Sequence, residues 1–375
     1  MRFRFQFRRY RLPLRVAVRT AHGVWTEREG VIVRLEIPET GNRKPEPESE
    51  PEQLRGVGYG EAAVLPWFGT ETVDEAVAAC GKLGEWIEEE KLAALPRRLG
   101  CLRHAIGAAL AEVKREHHEW AGEGVKALGV AALLPAGRAA MEQIAAKAES
   151  GFRVFKWKVG VGDLADELAI FDDVCAALPS GGKLRLDANG AWDRRKTERW
   201  LERCAERPVE FVEQPVAADA RGADGLLLGL AQDWPTPLAL DESLVGDGDV
   251  ERWIGAGWPG IFVVKPSLLG DVTGAIAMLA KARADVVFSS ALETAIGARA
   301  ALRVAFAFAA RAQTPDKGEG ERDKESTRAS SRRALGFGVW PLFADARYDG
   351  PAAAPFVRWE DVERIDVEAV WNALS

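Results

Sequence analysis

From Val125 to about residue 340 the chain alternates short apolar runs with amphipathic stretches of helical period, eight times over. The apolar runs are VKALGVAALL, FRVFKWKVG, KLRLDANG, VEFVEQP, PLALDESL, GIFVVKPS, DVVFSSALE and ALGFGVW. Between them lie stretches such as AAMEQIAAKAES, RRKTERWLERCAER and VTGAIAMLAKARA, whose apolar residues recur every three or four positions. Strict strand–helix alternation implies parallel strands, because each helix carries the chain back to start the next strand from the same end. Eight such units predict a (β/α)8, TIM-like barrel, somewhat more compact than the usual ~250 residues.

The first third reads differently. RFRFQF alternates Arg and Phe with a period of two, GVIVRLEI and GVGYGEA follow as further strands, and residues 70–120 carry helical signals. Thr72 is placed to cap TVDEAVAACGKLGEWIEEE. The expectation is an α+β capping domain over residues 1–120 and a barrel over 121–342, with 343–375 packing back on the first domain. The opening 20 residues hold seven arginines and no acid, like a transit peptide, but their period of two reads as a half-buried strand of the folded protein. Two polar, charged segments, 39–54 and 314–333, cannot bury a core and read as solvated loops.

Charge and composition remove several classes of function. With 57 acidic and 50 basic residues the formal charge is −7, whereas a nucleic-acid partner calls for a concentrated basic face. No apolar run reaches the roughly 18–20 residues that cross a bilayer, so no membrane association is expected. All four histidines (His22, His104, His117, His118) precede the barrel, so a barrel site has to work without histidine. The four cysteines are far apart and form no CxxC pair; they read as thiols of a reducing compartment, and the chain as cytoplasmic. Oligomeric state leaves no signature.

Catalytic groups of such barrels project from the C-terminal ends of the strands. Here the second strand ends in Lys156 and Lys158, two apart and on one face. The third ends in Asp187 and Asn189, the fourth in Glu213, the fifth in Asp241 and Glu242, the sixth in Lys265. The steps from Lys158 through Asp187, Glu213 and Asp241 to Lys265 are 29, 26, 28 and 24 residues, each about one strand–helix unit. Singly, such a carboxylate is often the N-cap of the next helix and such a lysine a solvated one. Together, three acids on consecutive strands flanked by lysines are costly to bury without a cation among them. Oxygen ligands without His or Cys suit Mg²⁺, with Mn²⁺ as a substitute. A dication that grips a substrate carboxylate makes the neighbouring proton acidic, and a lysine beside it can serve as the base. The expected substrate is therefore a small-molecule carboxylate, and the expected reaction starts with proton abstraction next to it.

These motifs resemble the enolase superfamily. FKWKVG looks like its KxK strand, LRLDANGAW and FVEQP like its first two metal-ligand strands, and LALDES like the third. VVKPSLLG with VVFSSALETAIG looks most like the o-succinylbenzoate synthase branch of the muconate-cycloisomerase-like subgroup. The resemblance implies Asp187, Glu213 and Asp241 as metal ligands, with Asn189 and Glu242 behind them. It implies Lys158 as the base that takes the α-proton and then helps a hydroxyl leave from the same face, assisted electrostatically by Lys156. Lys265 would contribute a cation–π contact from the opposite face. Ser289 and Ser290 would bind the substrate's succinyl carboxylate, largely through backbone N–H groups. The loop around Thr20–Thr26 is expected to contact substrate. One departure stands out: family members of one type often carry a larger or charged residue where this chain has Gly190.

Other lysine–lysine members are the competing readings: N-succinylamino acid racemases, dipeptide epimerases and muconate cycloisomerases. The epimerases commonly present Asp-x-Asp at the eighth strand, whereas LGFGVWPLFAD supplies no acid before Asp345. A non-catalytic binding barrel would not need all three acids and the lysines, and a Schiff-base aldolase would not need the acids.

Overall fold

The computed structural model describes residues 1–20, 23–38, 54–114, 125–311 and 333–374. Of the two charged segments, 39–53 and 314–332 lie outside the described residues, as do His22, His117 and His118.

The N-terminal part is a four-stranded antiparallel sheet of β1 (Arg2–Thr20), β2 (Gly23–Pro38), β3 (Leu54–Ala62) and β4 (Trp86–Glu88), in the order β3-β2-β1-β4. The period of two does what it implies: Phe3 and Phe5 turn inward with Val31, Val33 and Leu35, while the intervening arginines face out. Helices α1 (Val73–Leu83), α2 (Glu89–Ala93) and α3 (Gly100–Val113) accompany this sheet. Thr72 caps α1 in a reciprocal box with Glu75, as its spacing predicts. The sheet's fourth strand is the addition that the sequence pattern did not show.

The barrel follows. β5 (Ala127–Gly129) stands apart, so the first predicted strand is in fact two short ones, and only β6 (Ala132–Leu134) joins the main sheet. That sheet continues with β7 (Val154–Lys158), β8 (Lys183–Asp187), β9 (Val209–Glu213), β10 (Leu238–Leu240), β11 (Ile261–Val264) and β12 (Asp285–Phe288), seven parallel strands in sequential order. The eighth predicted strand forms no ladder of its own. It closes the ring through single parallel bridges, Ser289 to Gly336 on one side and Val130 to Leu335 on the other. Helices α4 (Ala139–Glu149), α5 (Leu164–Ala176), α6 (Arg194–Cys204), α7 (Ala223–Asp233), α8 (Asp247–Gly255), α9 (Val272–Lys281) and α10 (Ala295–Arg311) fill the connections. After the eighth segment the tail forms β13 (Phe356–Arg358), which pairs with β5, then α11 (Trp359–Glu363) and α12 (Val367–Ala373). Two contacts link the tail to β1: Leu14 bridges Phe343, and the Arg8 guanidinium lies over the Trp371 ring. No described helix is long and apolar enough to cross a membrane.

Side-chain parity sorts each barrel strand. On β7, Phe155 and Trp157 are fully buried on the outer face, where Trp157 meets Trp200 of α6 edge to face. Lys156 and Lys158 therefore point inward. Phe211, Ala239, Ile261, Val263 and Val287 form a separate apolar cluster inside the ring. This plug supplies a dry floor beneath the charged strand ends.

Candidate active site

Each acid stands at the last position of its strand or one beyond, at one height in the ring. Asp187 is 2% exposed, Glu213 1% and Asp241 3%, so all three are out of water. Lys156 Nζ donates to Glu213 Oε1 at 2.6 Å and lies 3.0 Å from Asp187 Oδ2. Lys158 Nζ donates to Asn189 Oδ1 at 2.6 Å and to Asp187 Oδ2 at 3.3 Å. Lys265 Nζ donates to Asp241 Oδ1 and sits 4.6 Å from the centre of the Phe68 ring. Glu242 accepts from Asn189 Nδ2 at 3.0 Å through Oε1, while its buried Oε2 has no partner among the described residues.

Electrostatics follow from burial and crowding. Burial works against the charge of Lys156, but Asp187, Glu213 and Asp241 outweigh it and raise its pKa. Burial likewise opposes ionisation of Asp187, and there the two ammonium groups of Lys156 and Lys158 win, holding it below the usual carboxylate range. For Glu213 and Glu242 burial dominates, helped by the neighbouring carboxylates, and both are pushed up.

Among the described residues no three acidic, histidine or cysteine side chains are gathered as a ready metal cage. The three carboxylates expected to converge are instead drawn to lysine ammonium groups, which satisfy them pairwise. The donor set nevertheless fits a hard dication: oxygen ligands only, on consecutive strands, with the orphaned Glu242 Oε2 behind them.

Above this layer a cleft of ≈ 540 Å³ opens between the ring and the N-terminal domain, within the range typical of small-molecule sites. Lys156, Lys158, Asp187, Asn189, Asp241 and Lys265 line it from the barrel. Trp25, Trp67 and Phe68 line it from the N-terminal domain, a contribution sequence reasoning located only as the Thr20–Thr26 loop. A smaller cavity of ≈ 220 Å³ beside His104 is lined by none of these charged groups.

Ser289 and Ser290 also line the cleft. Their backbone N–H groups, expected to hold a carboxylate, are spent otherwise: Ser289 N–H donates to Val264 O at 2.9 Å and Ser290 N–H to Gly336 O at 3.2 Å. The physical reason is pairing on both sides: the first bond extends the β11–β12 ladder, and the second belongs to the seam that closes the barrel at the weak eighth strand. Ala291 N–H, one residue on and also lining the cleft, has no partner among the described residues.

Gln214 was missed. It follows Glu213 with φ +36°, and its Oε1 accepts from Asp241 N–H at 2.9 Å and Ser243 N–H at 3.2 Å. Its side chain thereby ties the fourth strand end to the fifth. The signal available was its place directly after a candidate ligand, before a proline.

Comparison with known proteins agrees with this architecture. The family described as enolase C-terminal domain-like matches residues 139–337. An o-succinylbenzoate synthase from Thermosynechococcus vestitus is 41% identical over 298 residues, 78% of this chain and 85% of the relative. The crystal structure of o-succinylbenzoate synthase from Thermosynechococcus elongatus BP-1, complexed with Mg in the active site, matches 99% of both chains with a TM-score of 0.74 and 35% identity. The L-Ala-D/L-Glu epimerase from Bacillus subtilis shares the fold, with a TM-score of 0.73 over 95% of both chains at 19% identity. The chain belongs to the enolase superfamily, the class that its capped barrel and its ring of carboxylates and lysines define. It is an enzyme, and among these relatives its likeness in both sequence and structure is to the o-succinylbenzoate synthases.

Proposed function

We propose that the chain dehydrates 2-succinyl-6-hydroxy-2,4-cyclohexadiene-1-carboxylate to 2-succinylbenzoate, a hydro-lyase step of menaquinone or phylloquinone biosynthesis. The observation that carries this reading is the placement of Lys158 and Lys265 on opposite sides of one layer of buried carboxylates. β7 and β11 are the second and sixth of eight positions around the ring, so their ends face each other across it.

Asp187, Glu213 and Asp241 would hold Mg²⁺, or Mn²⁺ in its place, with Asn189 and Glu242 supporting them. The ion supplies positive charge that makes the proton next to a bound carboxylate acidic. Lys158 is the base: its side chain is 27% exposed, against 12% for Lys156, so it is the member of the pair that reaches into the cleft. Its amine takes the α-proton, then returns a proton to the departing hydroxyl on the same face. The carbon–oxygen bond breaks, water leaves, and the ring becomes aromatic. Lys156, pinned between two carboxylates, keeps its charge and assists electrostatically. Lys265, already against the Phe68 ring, offers its ammonium to the other face of the forming aromatic ring. Asp345 pairs with Arg347 and does not line the cleft, so it offers no carboxylate there to a substrate amine.

The test is turnover of the cyclohexadiene with Mg²⁺, beside N-succinylamino acids and Ala-Glu dipeptides as alternative substrates. Dehydration of the first is expected. Inertness toward it together with rapid α-proton exchange in one of the others would move the assignment to a racemase or epimerase. Lys158→Ala is expected to lower turnover by about three orders of magnitude or more with the circular dichroism spectrum unchanged. Near-normal turnover in that variant would sink the proposal.

A further inference from the structure

The turn after β12 is held from three sides. Arg28 of β2, itself buried, donates to Ala291 O at 3.2 Å and Leu292 O at 3.1 Å. Glu61 of β3 accepts from the N–H groups of Thr294 and Gly297, each at 3.0 Å, at the start of α10. The third holder belongs to the turn itself. Glu293, with no exposed surface, accepts from Ser290 Oγ at Oε2 and from Ser267 Oγ at Oε1, the latter at 2.8 Å. Ser267 lies two residues beyond Lys265, in the single helical turn Pro266–Leu268 that Lys265 O closes by accepting from Leu268 N–H at 3.0 Å.

Glu293 thus joins two strand ends that are neighbours in the ring: the one carrying Lys265 and the one lining the cleft with Ser289, Ser290 and Ala291. A buried carboxylate met, among the described residues, by two hydroxyls alone is a poor way to gain stability, since an apolar side chain of that size avoids the desolvation. What the carboxylate adds is a fixed spacing between its two donors. The chain also makes room for it. A Cβ at Gly297 would fall 2.7 Å from the Glu293 side chain and 2.8 Å from Glu61 Oε2, so only glycine lets the two acids lie side by side.

We infer that Glu293 is a positioning residue, which sets Lys265 and the Ser290 turn at the separation the substrate requires. The inference rests on the reading of both as substrate-facing. Four variants test it by kcat and KM per folded molecule, with the cyclohexadiene and Mg²⁺. Ser267→Ala should lower kcat with KM little changed, and Ser290→Ala should raise KM with kcat little changed. Glu293→Ala should do both, by about tenfold each. Glu293→Gln can accept one hydroxyl and donate to the other, and should recover to within about threefold of wild type. A Glu293→Ala enzyme with a lowered Tm but wild-type kcat and KM overturns the inference, because that is what a merely structural residue would show. Crystal structures of wild type and Glu293→Ala give a readout independent of substrate. Lys265 Nζ and the Ser290 backbone should move apart by about 1 Å, and unchanged positions overturn the inference. A wild-type enzyme inert toward the cyclohexadiene counts against the proposed reaction alone, and the crystallographic comparison still decides the role of Glu293.

Discussion

At Asn189 and Gly190 the backbone turns left-handed twice in succession, with φ of +44° and +74°. That reversal brings Asn189 back over the strand end, where one side chain reaches both Lys158 and Glu242. The glycine that departs from some relatives is thereby explained, since a Cβ there would fall 2.9 Å from Ala217 Cα. Gly190→Ala should cost about 1–3 kcal/mol, read by urea unfolding, from positive φ and the clash combined. An unchanged unfolding midpoint would show that the loop relaxes freely. Strand-end residues such as Asp187, Glu213 and Lys265 were legible in the sequence because each repeats one register in one repeating unit. Gln214 and Glu293 were not, because their partners are backbone amides and hydroxyls of neighbouring loops, which no spacing rule reaches.

Among the elements, long periodic ones were readable and short ones were not. The Arg/Phe alternation of β1 and the capping box of α1 are local physics, fixed by side-chain parity and by one hydroxyl three residues from a glutamate. A three-residue strand such as β4 has no period to detect, and the split of the first barrel strand depends on β13, more than 200 residues later. Helix α3 carries a prediction of its own. His104 is fully buried, neither ring nitrogen has a partner among the described residues, and burial alone lowers its pKa to about 4. The unfolded chain takes up the proton near pH 6.5 and the folded one only near 4, so His104 favours the folded state above that window. This contribution is lost as pH falls through it, and the loss reaches about 3 kcal/mol by pH 4. Buried carboxyls such as Glu61 and Glu71, whose pKa values burial raises, work in the opposite direction, so the comparison must be with His104→Leu. Between pH 7 and pH 4 wild type should lose about 3 kcal/mol more than that variant; parallel curves would contradict the buried neutral imidazole.

For the molecule as a whole, metal and fold should be thermodynamically linked. If Asp187, Glu213 and Asp241 bind Mg²⁺ only when folded, an ion concentration of 100 times Kd adds about 2.7 kcal/mol of stability. Calorimetry should show Tm rising by several degrees with Mg²⁺ and returning with chelator, and Asp241→Asn should abolish the rise. No shift in wild type would remove the metal from the site.

The return of the tail has a consequence for biogenesis. Leu14 finds its bridging partner at Phe343, 343 − 14 = 329 residues later, and β5 waits for β13 in the same way. On a ribosome all four strands of the N-terminal sheet emerge before the barrel, whereas the bridge from Leu14 has to wait until the barrel strands have followed. Pairings of such separation slow folding, since loop closure comes before the contacts that reward it. Until Phe343 arrives, β1 is held by β2 and β4 alone.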